Sequence, residues 1–345
     1  MRTFKLLCTL LALAALLFGC AAPAVPSTPT SPVNDDGLSI HYIDVGQADC
    51  ALLESDGEYI LIDGGNVEDS SLVVSYLQQQ GVEELEAVIC SHAHEDHVGG
   101  LPGVLAVYPT AAVYAPTRTY ASNCFDDFVY YADQQGLSIT IPDVGDTITF
   151  GSATAEVLGP VKQYAETNDT SIILMVTYGQ NRFLFTGDME TSAETDLLDS
   201  GANVKADVLK VGHHGSNTST GYRFLYEVNP AYAVISVGEG NSYGHPHEEP
   251  MSRLEDAGCT IYRTDKLGTV IAFSNGTDIT FSWDNSTSAP ESGESAATTY
   301  IGNTKSKKLH TPHCASLPSE QNRITFSTYE EAIDAGYTPC GNCMN

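Results

Sequence analysis

Short apolar stretches separated by glycine-rich turns dominate the chain from residue 38 onward. Residues 38–45 alternate between apolar and polar side chains, which is typical of a half-buried strand, and residues 50–54 and 59–65 predict two more strands. Residues 72–80 have the apolar spacing of a helix and stop at Gly81. This part of the chain therefore predicts three strands followed by a helix.

Strands and helices continue to follow one another through residue 282. After the first helix, apolar runs predict strands at residues 88–90, 111–115, 171–177, 182–185, 208–211, 233–236, 261–262, 270–273 and 279–282, with a strand-rich block at 138–158. Helical spacing predicts helices at residues 101–108, 125–135, 192–198 and 250–257. Runs of strands with interspersed helices predict a domain of the α+β class.

Two segments of small and polar residues divide the chain. Residues 21–36 and residues 284–298 have the composition of a flexible tether and a linker. They separate an N-terminal segment, residues 1–20, a main domain, residues 37–283, and a tail, residues 299–345. The chain of 345 residues is long enough for one large domain and one small one.

The N-terminal segment has the pattern of an export signal. Arg2 and Lys5 precede an apolar run, residues 6–18, that is too short to span a bilayer as a mature helix. The run ends in Leu-Phe-Gly-Cys at residues 17–20, which resembles the lipobox of bacterial lipoproteins. That resemblance implies a lipid on Cys20, which anchors the protein to the bacterial cell membrane on its extracytoplasmic side. The alternatives are a plain cleaved signal and an uncleaved anchor.

The charge of the chain is strongly negative. It carries 44 Asp and Glu against 15 Lys and Arg, a net charge of −29. This balance argues against non-specific affinity for polyanions, which depends on clustered basic residues. The tail is neutral, because basic and acidic residues after Tyr300 are equal in number, so the whole excess lies before it. The nine cysteines are too scattered for a dense disulfide scaffold.

Three histidines and an aspartate follow the predicted strand at 88–90. They occupy the pattern H-x-H-x-D-H as His92, His94, Asp96 and His97. Imidazole and carboxylate are the usual ligands of zinc-like ions. Alternation places His92 and His94 on the same side of the extended chain, and Asp96 and His97, after the turn, are predicted to reach a second ion.

Two further strand ends carry candidate ligands. Asp188 follows the apolar run 183–185, and an aspartate there can bridge two cations because each of its oxygens can bind one. His213 and His214 follow the strand at 208–211. One of them is predicted to complete the second ion site, and we favour His214. The other is then expected at the substrate phosphate or beside a ligand that it supports.

Six motifs in order establish a resemblance to a known family. They are Tyr-Ile-Asp-Val-Gly-Gln-Ala-Asp at 42–49, Ser-His-Ala-His-Glu-Asp-His at 91–97, Asn-Asp-Thr-Ser at 168–171, Thr-Gly-Asp at 186–188, His-His-Gly-Ser at 213–216 and Gly-His-Pro-His at 244–247. The pattern H-x-H-x-D-H is the metal motif of the metallo-β-lactamase fold. The whole set resembles the metallo-β-lactamase domain of the DNA-uptake competence protein family, over residues 38–282.

The resemblance implies a four-layer αββα sandwich and a mechanism. Two divalent cations, Zn or Mn, are bridged by Asp188 and share a water of lowered pKa, and the resulting hydroxide attacks a phosphodiester such as DNA. Asp96 is implied as a ligand that also orients the water, and His245 as a group that stabilises the developing negative charge. Asp49 and Asp63 either hold ligand imidazoles in place or are plain turn carboxylates.

The chain departs from the competence proteins in two ways. Their domain is attached to a membrane channel, whereas no second apolar span of membrane length follows residue 18 here, so a role in DNA uptake is not predicted. Many members of the superfamily carry a further ligand histidine between the first motif and the bridging aspartate. Asn168 and Asp169 stand at that place. The first ion is then expected to bind more weakly or through an oxygen ligand.

The tail carries a separate set of soft ligands. His310 and Cys314, followed after 25 residues by Cys340 and Cys343, predict a closed tetrahedral site for one structural zinc ion. With a predicted helix at 329–335, this pattern resembles the zinc-binding domain of the Ada DNA-repair protein, which implies a small C-terminal zinc-binding α/β domain. In that protein the first of four zinc cysteines accepts a methyl group from DNA. His310 stands at that position here, so methyl transfer is not expected.

Two alternatives stay open for the tail. In one of them His313 replaces His310 as a ligand. In the other, the cysteines oxidise outside the cell, as a Cys340–Cys343 pair or as a pair formed by Cys314. A tail this short has little core of its own, so metal is expected to supply much of its stability.

Three hypotheses for function follow. The first is an exported, lipid-anchored, metal-dependent phosphodiesterase of the nuclease type, which the DNA-repair-like tail favours. The second is a hydrolase of small or cell-surface phosphoesters similar to the phosphorylcholine esterases, secreted relatives of the same domain, which the negative charge favours. The third is a non-catalytic nucleic-acid-binding lipoprotein, which the intact metal motif disfavours. A β-lactam substrate is not predicted, and the sequence indicates no protein partner.

Overall fold

The computed structural model describes residues 37–284, 291–292, 300–310, 314, 316–326, 329–341 and 344. Several predictions lie outside the described residues: the export signal with Cys20, the tether, most of the linker, and the candidate tail ligands His313 and Cys343. Among the residues that are described, no helix is both long enough and apolar enough to cross a membrane.

Two large mixed sheets form the main domain in the part of the chain that is described. The strands of the first sheet lie in the spatial order β14 (Ile279–Trp283), β13 (Val270–Ser274), β1 (Leu38–Tyr42), β2 (Ala51–Ser55), β3 (Glu58–Ile62), β4 (Leu85–Ile89) and β5 (Thr110–Tyr114). Those of the second lie in the order β15 (Glu291–Ser292), β12 (Thr260–Arg263), β11 (Tyr232–Ile235), β10 (Val208–Lys210), β9 (Asn181–Phe185), β8 (Ile173–Tyr178), β7 (Ala153–Gly159) and β6 (Thr147–Phe150).

Helices cover the outer face of each sheet. On the first sheet these are α1 (Ser70–Gln79), α3 (Leu101–Val107) and α4 (Asn123–Gln134), with the short α2 (Glu95–Val98) directly before α3. On the second they are α5 (Thr191–Asp199), α6 (Tyr222–Val228) and α7 (Glu248–Asp256). A further short helix, α8 (Thr264–Leu267), follows β12.

Three buried apolar clusters separate the four layers. Neighbouring strand residues point to opposite faces, so Leu53 packs between the two sheets while Leu52 packs against the helices of the first sheet. In the same way, Phe183 packs between the two sheets, while Leu184 packs against α5, α6 and α7. The predicted α+β class and four-layer αββα sandwich are confirmed.

Parallel strands bring the candidate ligands to one edge of the sandwich. Strands β3, β4 and β5 run parallel in the first sheet, and β9 to β12 run parallel in the second. The loops after β4, β9 and β10 leave the carboxyl ends of these strands and carry the histidines and aspartates of the predicted metal motifs. Ligand sites commonly form at such strand ends.

The structure differs from the predicted elements in several places. The short helices α2 and α8 were not predicted, and strand β15 lies within the predicted linker. Residues 138–146 contain no strand. Only Thr140 pairs with a strand residue there, through an isolated bridge to Tyr114, so the predicted strand-rich block begins only at β6. Helix α6 was not predicted, because its sequence Tyr-Arg-Phe-Leu-Tyr-Glu-Val is rich in residues that favour strands. Its apolar face packs against the second sheet, and it ends at Asn229 in a left-handed conformation, φ +46°.

The tail forms a third sheet that packs on the main domain. Its strands lie in the order β18 (Arg323–Phe326), β16 (Tyr300–Asn303), β17 (Lys308–His310) and β19 (Thr338–Pro339), with α9 (Tyr329–Asp334) alongside. Tyr222 of α6 belongs to the same buried cluster as the tail residues Leu309 and Phe326. Its ring stacks on that of Tyr329, with centroids 6.2 Å apart. The tail therefore shares its core with the main domain.

Candidate metal centre

A buried carboxylate holds the loop that follows β4. Asp63, just after β3, accepts hydrogen bonds from the backbone N–H and the hydroxyl of Ser91, both at 2.7 Å. It also accepts one from Nδ1 of His97 at 2.9 Å, which leaves Nε2 of that ring pointing away from Asp63. His92 and His94 lie side by side, with Nε2 of His92 3.1 Å from Nδ1 of His94. Asp63 therefore positions an imidazole and is more than a turn carboxylate.

Asp188 lies between the histidines of this loop and those that follow β10. It is 2% exposed. Its Oδ1 lies 3.3 Å from Nε2 of His97. Its Oδ2 lies 3.9 Å from Nε2 of His92, 3.7 Å from Nε2 of His213 and 3.8 Å from Nε2 of His214. The two carboxylate oxygens thus face different imidazoles.

A tight turn before Asp188 makes this placement possible. Gly187 has a φ of +50°, and a Cβ there would lie 2.7 Å from Oγ of Ser171. The same Ser171 hydroxyl oxygen accepts the backbone N–H of Asp188 at 3.0 Å. A side chain at residue 187 would be strained and would displace the group that fixes Asp188.

His213 and His214 share a left-handed backbone, with φ of +51° and +52°. His214 is buried, its Nδ1 lies 3.0 Å from the carbonyl oxygen of Ser236, and its Nε2 lies 3.4 Å from Oδ2 of Asp96. The His213 side chain is 22% exposed, and its Nδ1 lies 3.1 Å from the hydroxyl of Thr218. Of these two neighbours, His214 is thus the buried one and His213 the partly exposed one.

A buried ion pair lies behind His214. Lys210 donates a hydrogen bond to Oδ2 of Asp49 at 2.9 Å, and Oδ1 of the same carboxylate lies 3.4 Å from Nδ1 of His214. Burial alone would raise the pKa of Asp49, but the charges of Lys210 and His214 hold it below its usual range. Asp49 therefore stays ionised beside the His214 ring, whose Nδ1 is hydrogen-bonded to the Ser236 carbonyl oxygen. Lys210 was missed at the sequence level, although a lysine inside an otherwise apolar strand was a signal for it.

Four side chains converge on one point of the site. Ligand atoms of Asp96, His97, Asp188 and His214 all lie within 4.8 Å of one another. Three of these atoms are buried and have no hydrogen-bond partner: Nε2 of His97, Nε2 of His214 and Oδ1 of Asp188. Each uncompensated buried polar atom costs on the order of 1–3 kcal/mol. A divalent cation would satisfy all three, and imidazole with carboxylate is a donor set that fits Zn or Mn.

The residues at the place of the missing histidine are engaged elsewhere. Asp169 accepts hydrogen bonds from the backbone N–H of Glu190 at 2.9 Å and from the hydroxyl of Ser192 at 2.7 Å, at the start of α5. Asn168 donates to Oε1 of Glu190 at 3.2 Å, while its own Oδ1 is buried and has no partner. His213 lies close to the same Glu190, with its Nδ1 3.6 Å from Oε1 of Glu190 and its Nε2 3.7 Å from Oδ2 of Asp188.

The carboxylates raise the proton affinity of two buried imidazoles. Burial alone would lower the pKa of His214, but Asp188 and Asp49 raise it to about 10. Burial also opposes protonation of His97, and Asp188 and Asp63 nevertheless raise its pKa well above the usual value. Protons and cations therefore compete for these two rings, and cation binding is favoured by loss of the protons.

His245 lies beside the cluster and keeps one donor free. Its ring is stacked with that of His214, with centroids 6.5 Å apart and planes at 21°. The backbone N–H of Gly238 binds Oε1 of Gln47, so the Gln47 amide nitrogen faces Nδ1 of His245 at 3.4 Å and donates to it. Burial and the neighbouring histidines lower the pKa of His245 to about 4. The ring is therefore neutral at pH 7, with its hydrogen on Nε2.

The tail brings three of its four predicted ligands together. Ligand atoms of His310, Cys314 and Cys340 lie within 4.8 Å of one another. Nδ1 of His310 lies 3.3 Å from Sγ of Cys314, and Nε2 of His310 is buried and has no hydrogen-bond partner. The fourth predicted ligand, Cys343, and the alternative ligand His313 lie outside the described residues.

A comparison with known families covers most of the main domain. The sequence profile of the Metallo-beta-lactamase superfamily matches residues 43–239. The matched range contains the whole H-x-H-x-D-H motif as well as Asp188, His213 and His214, and it ends before His245.

Three curated relatives match a similar length of the chain. ComE operon protein 3 of Bacillus subtilis is 29% identical over 250 residues, 67% of this chain and 32% of the relative. Competence protein ComA of Neisseria gonorrhoeae is 32% identical over 240 residues, 69% of this chain and 32% of the relative. Recombination protein 2 of Haemophilus influenzae is 32% identical over 237 residues, 66% of this chain and 28% of the relative. The chain spans about a third of the length of these relatives.

Proposed function

The chain belongs to the metallo-beta-lactamase superfamily, and from this premise we propose that it is a metal-dependent phosphodiesterase that acts on DNA as a nuclease. The main domain is a metal-dependent hydrolase related to competence proteins. The name of one relative refers to competence and the name of another to recombination. Recombination joins DNA strands, which supports DNA as the substrate.

One observation carries the proposal. Nε2 of His97, Nε2 of His214 and Oδ1 of Asp188 meet in the protein interior without a hydrogen-bond partner. Native proteins seldom leave buried polar atoms unsatisfied without a functional reason. The apolar clusters of the sandwich are complete without these three groups, so cation binding is the reason that fits them.

We assign the side chains of the cluster different roles in hydrolysis. Divalent cations held there would supply Lewis acidity and an activated water. Asp188 offers one oxygen to each side of the cluster. The side chain of Asp96, which is 33% exposed, lies on the open side and would orient the attacking water. The Nε2–H of His245 would stabilise negative charge on the phosphate oxygens.

A second candidate substrate is a small phosphoester that carries a quaternary ammonium group, such as a phosphorylcholine ester. The net charge of −29 favours a substrate with a cationic group over a polyanion. Both candidates would be cleaved at a phosphodiester by the same cluster, and they differ in the group that the rest of the site must bind.

A substrate panel separates the two candidates. The purified protein is assayed with zinc or manganese on single-stranded DNA, RNA, bis-p-nitrophenyl phosphate and p-nitrophenyl phosphorylcholine. We expect turnover of DNA and of bis-p-nitrophenyl phosphate, loss of both after chelation, and recovery when the metal is returned. Turnover of the phosphorylcholine ester without DNA favours the second candidate. No turnover of any substrate with either metal overturns the proposal.

We also propose that the protein is exported and held at the membrane by a lipid on Cys20. The support for this is the signal pattern of residues 1–20 alone. Cys20→Ala should shift the protein from the membrane fraction to the soluble fraction, because the modified cysteine carries the acyl chains. Unchanged fractionation would count against lipid attachment.

A further inference from the structure

A row of aromatic rings leads out of the metal centre and ends in an exposed tyrosine. The rings of His97 and His214 have centroids 5.4 Å apart, those of His214 and His245 6.5 Å, and those of His245 and Tyr243 5.6 Å. The last pair is stacked, with planes at 25°. Tyr243 is nevertheless 68% exposed. The face of its ring that is turned away from His245 is therefore open to solvent beside the cluster.

An ordered loop presents this tyrosine. The side chain of Asn241 donates hydrogen bonds to the carbonyl oxygens of Gly238 and His245, at 2.9 and 2.6 Å. Its Oδ1 accepts from the backbone N–H groups of Tyr243 and His245, at 3.2 and 3.0 Å. Gly238 is in turn bound to Gln47, in the turn before β2. The position of Tyr243 is thus set before a ligand arrives, which lowers the entropic cost of binding.

We propose that Tyr243 stacks on an unpaired base of the substrate strand, next to the scissile phosphate. This inference rests on the proposed function and names the part of the substrate that the site recognises. An aromatic side chain can stack on any base, and it contributes affinity without adding charge. Bases inside a duplex are already stacked and paired, and exposing one costs energy. The site should therefore favour single-stranded substrate.

The charge of the protein is the reason that base stacking matters here. The chain has only 15 basic residues. Lys210, a basic residue beside the centre, is 4% exposed and its ammonium is paired with Asp49. Contacts to the phosphate backbone, which dominate most nucleic-acid binding, are accordingly limited apart from those of the cluster itself. An aromatic surface is the kind of contact that such a protein can use.

A quaternary ammonium fits this surface less well than a base. Such cations are recognised by cages in which several aromatic faces converge. Tyr243 offers one open face, because the other is covered by His245, and the next ring along, His247, meets His245 edge to face at 84°. A single flat face matches a planar base.

Two substrates with the same leaving group test the inference. Thymidine 5′-(p-nitrophenyl phosphate) and methyl p-nitrophenyl phosphate differ only in the presence of a nucleoside. Tyr243→Ala should lower kcat/KM for the thymidine ester by roughly 5- to 100-fold and leave that for the methyl ester within about 2-fold of wild type. Tyr243→Trp should retain or increase turnover of the thymidine ester, because a larger ring stacks at least as well.

The control is an exposed tyrosine elsewhere in the fold. Tyr130 of α4 is 54% exposed, and Tyr130→Ala should change neither reaction. Equal losses of Tyr243→Ala on both esters would show that the ring acts through His245 and would overturn the inference, as would an unchanged thymidine reaction. A larger loss on p-nitrophenyl phosphorylcholine than on the thymidine ester would assign the surface to a quaternary ammonium instead. If the wild-type protein hydrolyses none of the esters, it is the proposed function that fails.

Discussion

Asp188→Asn should reduce hydrolysis of every substrate by several orders of magnitude. Asparagine keeps the volume of the side chain but removes the charge and one of the two oxygens, which face His97 on one side and His92, His213 and His214 on the other. If each oxygen holds a cation, the variant loses ions together with turnover. The measurements are kcat for bis-p-nitrophenyl phosphate and elemental analysis of the purified protein.

Asp169→Asn provides the matched control. Asp169 is also a buried carboxylate, 6% exposed against 2% for Asp188. Its oxygens bind the Glu190 backbone N–H and the Ser192 hydroxyl, at the start of α5. We expect reduced thermal stability but nearly unchanged metal content and kcat. A fully active Asp188→Asn protein, or equal losses of turnover in the two variants, would contradict the assignment of Asp188 to the metal centre.

The parts of the site that the sequence predicted are those that depend on local spacing. His92, His94, Asp96 and His97 fall within six consecutive positions after an apolar strand, so their proximity follows from chain geometry alone. Asp188 required a longer inference, from a second apolar strand and from the resemblance of the motifs to a known family. The sandwich itself followed from alternating apolar positions, such as Leu52 and Leu53, which the structure places on opposite faces of β2.

The contacts that hold the ligands in place depend on residues far apart in the chain. The Lys210–Asp49 pair joins β10 of the second sheet to the turn before β2 of the first, and no local sequence pattern predicts such a partner. The sequence supported only a preference for His214 over His213, because the left-handed backbone that sets the direction of the two rings is not evident from it. Tyr243 belongs to none of the six motifs. Only its stacking on His245, beside the cluster, indicates that it could contact a substrate.

The interface between the tail and the main domain affects the expected result of a substitution in the tail. The sequence indicated two units joined by a linker. In the structure, Tyr222 of α6 is buried together with Tyr300, Leu309 and Phe326 of the tail, and α6 follows the loop of His213 and His214. The small apolar core of the tail is therefore completed by the main domain. We propose that a structural zinc ion at His310, Cys314 and Cys340 supplies the rest of its stability.

Cys340→Ser should remove one ion from the protein and loosen the tail while leaving the chemistry of the main site intact. Serine is a much weaker zinc ligand than a thiolate. Without the ion, the cluster around Tyr222 alone must hold β16 to β19, so limited proteolysis should release the tail more readily. Turnover of bis-p-nitrophenyl phosphate should fall by no more than about 3-fold, because Asp96, His97 and His214, the ligands grouped with Asp188 among the described residues, all belong to the main domain.

Cys124→Ser separates loss of a ligand from the general effect of losing a buried thiol. Cys124 is buried in α4, and its Sγ lies 3.4 Å from the Ser122 hydroxyl. That variant should keep every ion and the protease resistance of the wild-type protein. If Cys340→Ser loses no metal, the assignment of a zinc site to the tail is wrong. If it loses as much turnover as Asp188→Asn, the tail takes part in the reaction, and the separation of chemistry in the sandwich from stability in the tail does not hold.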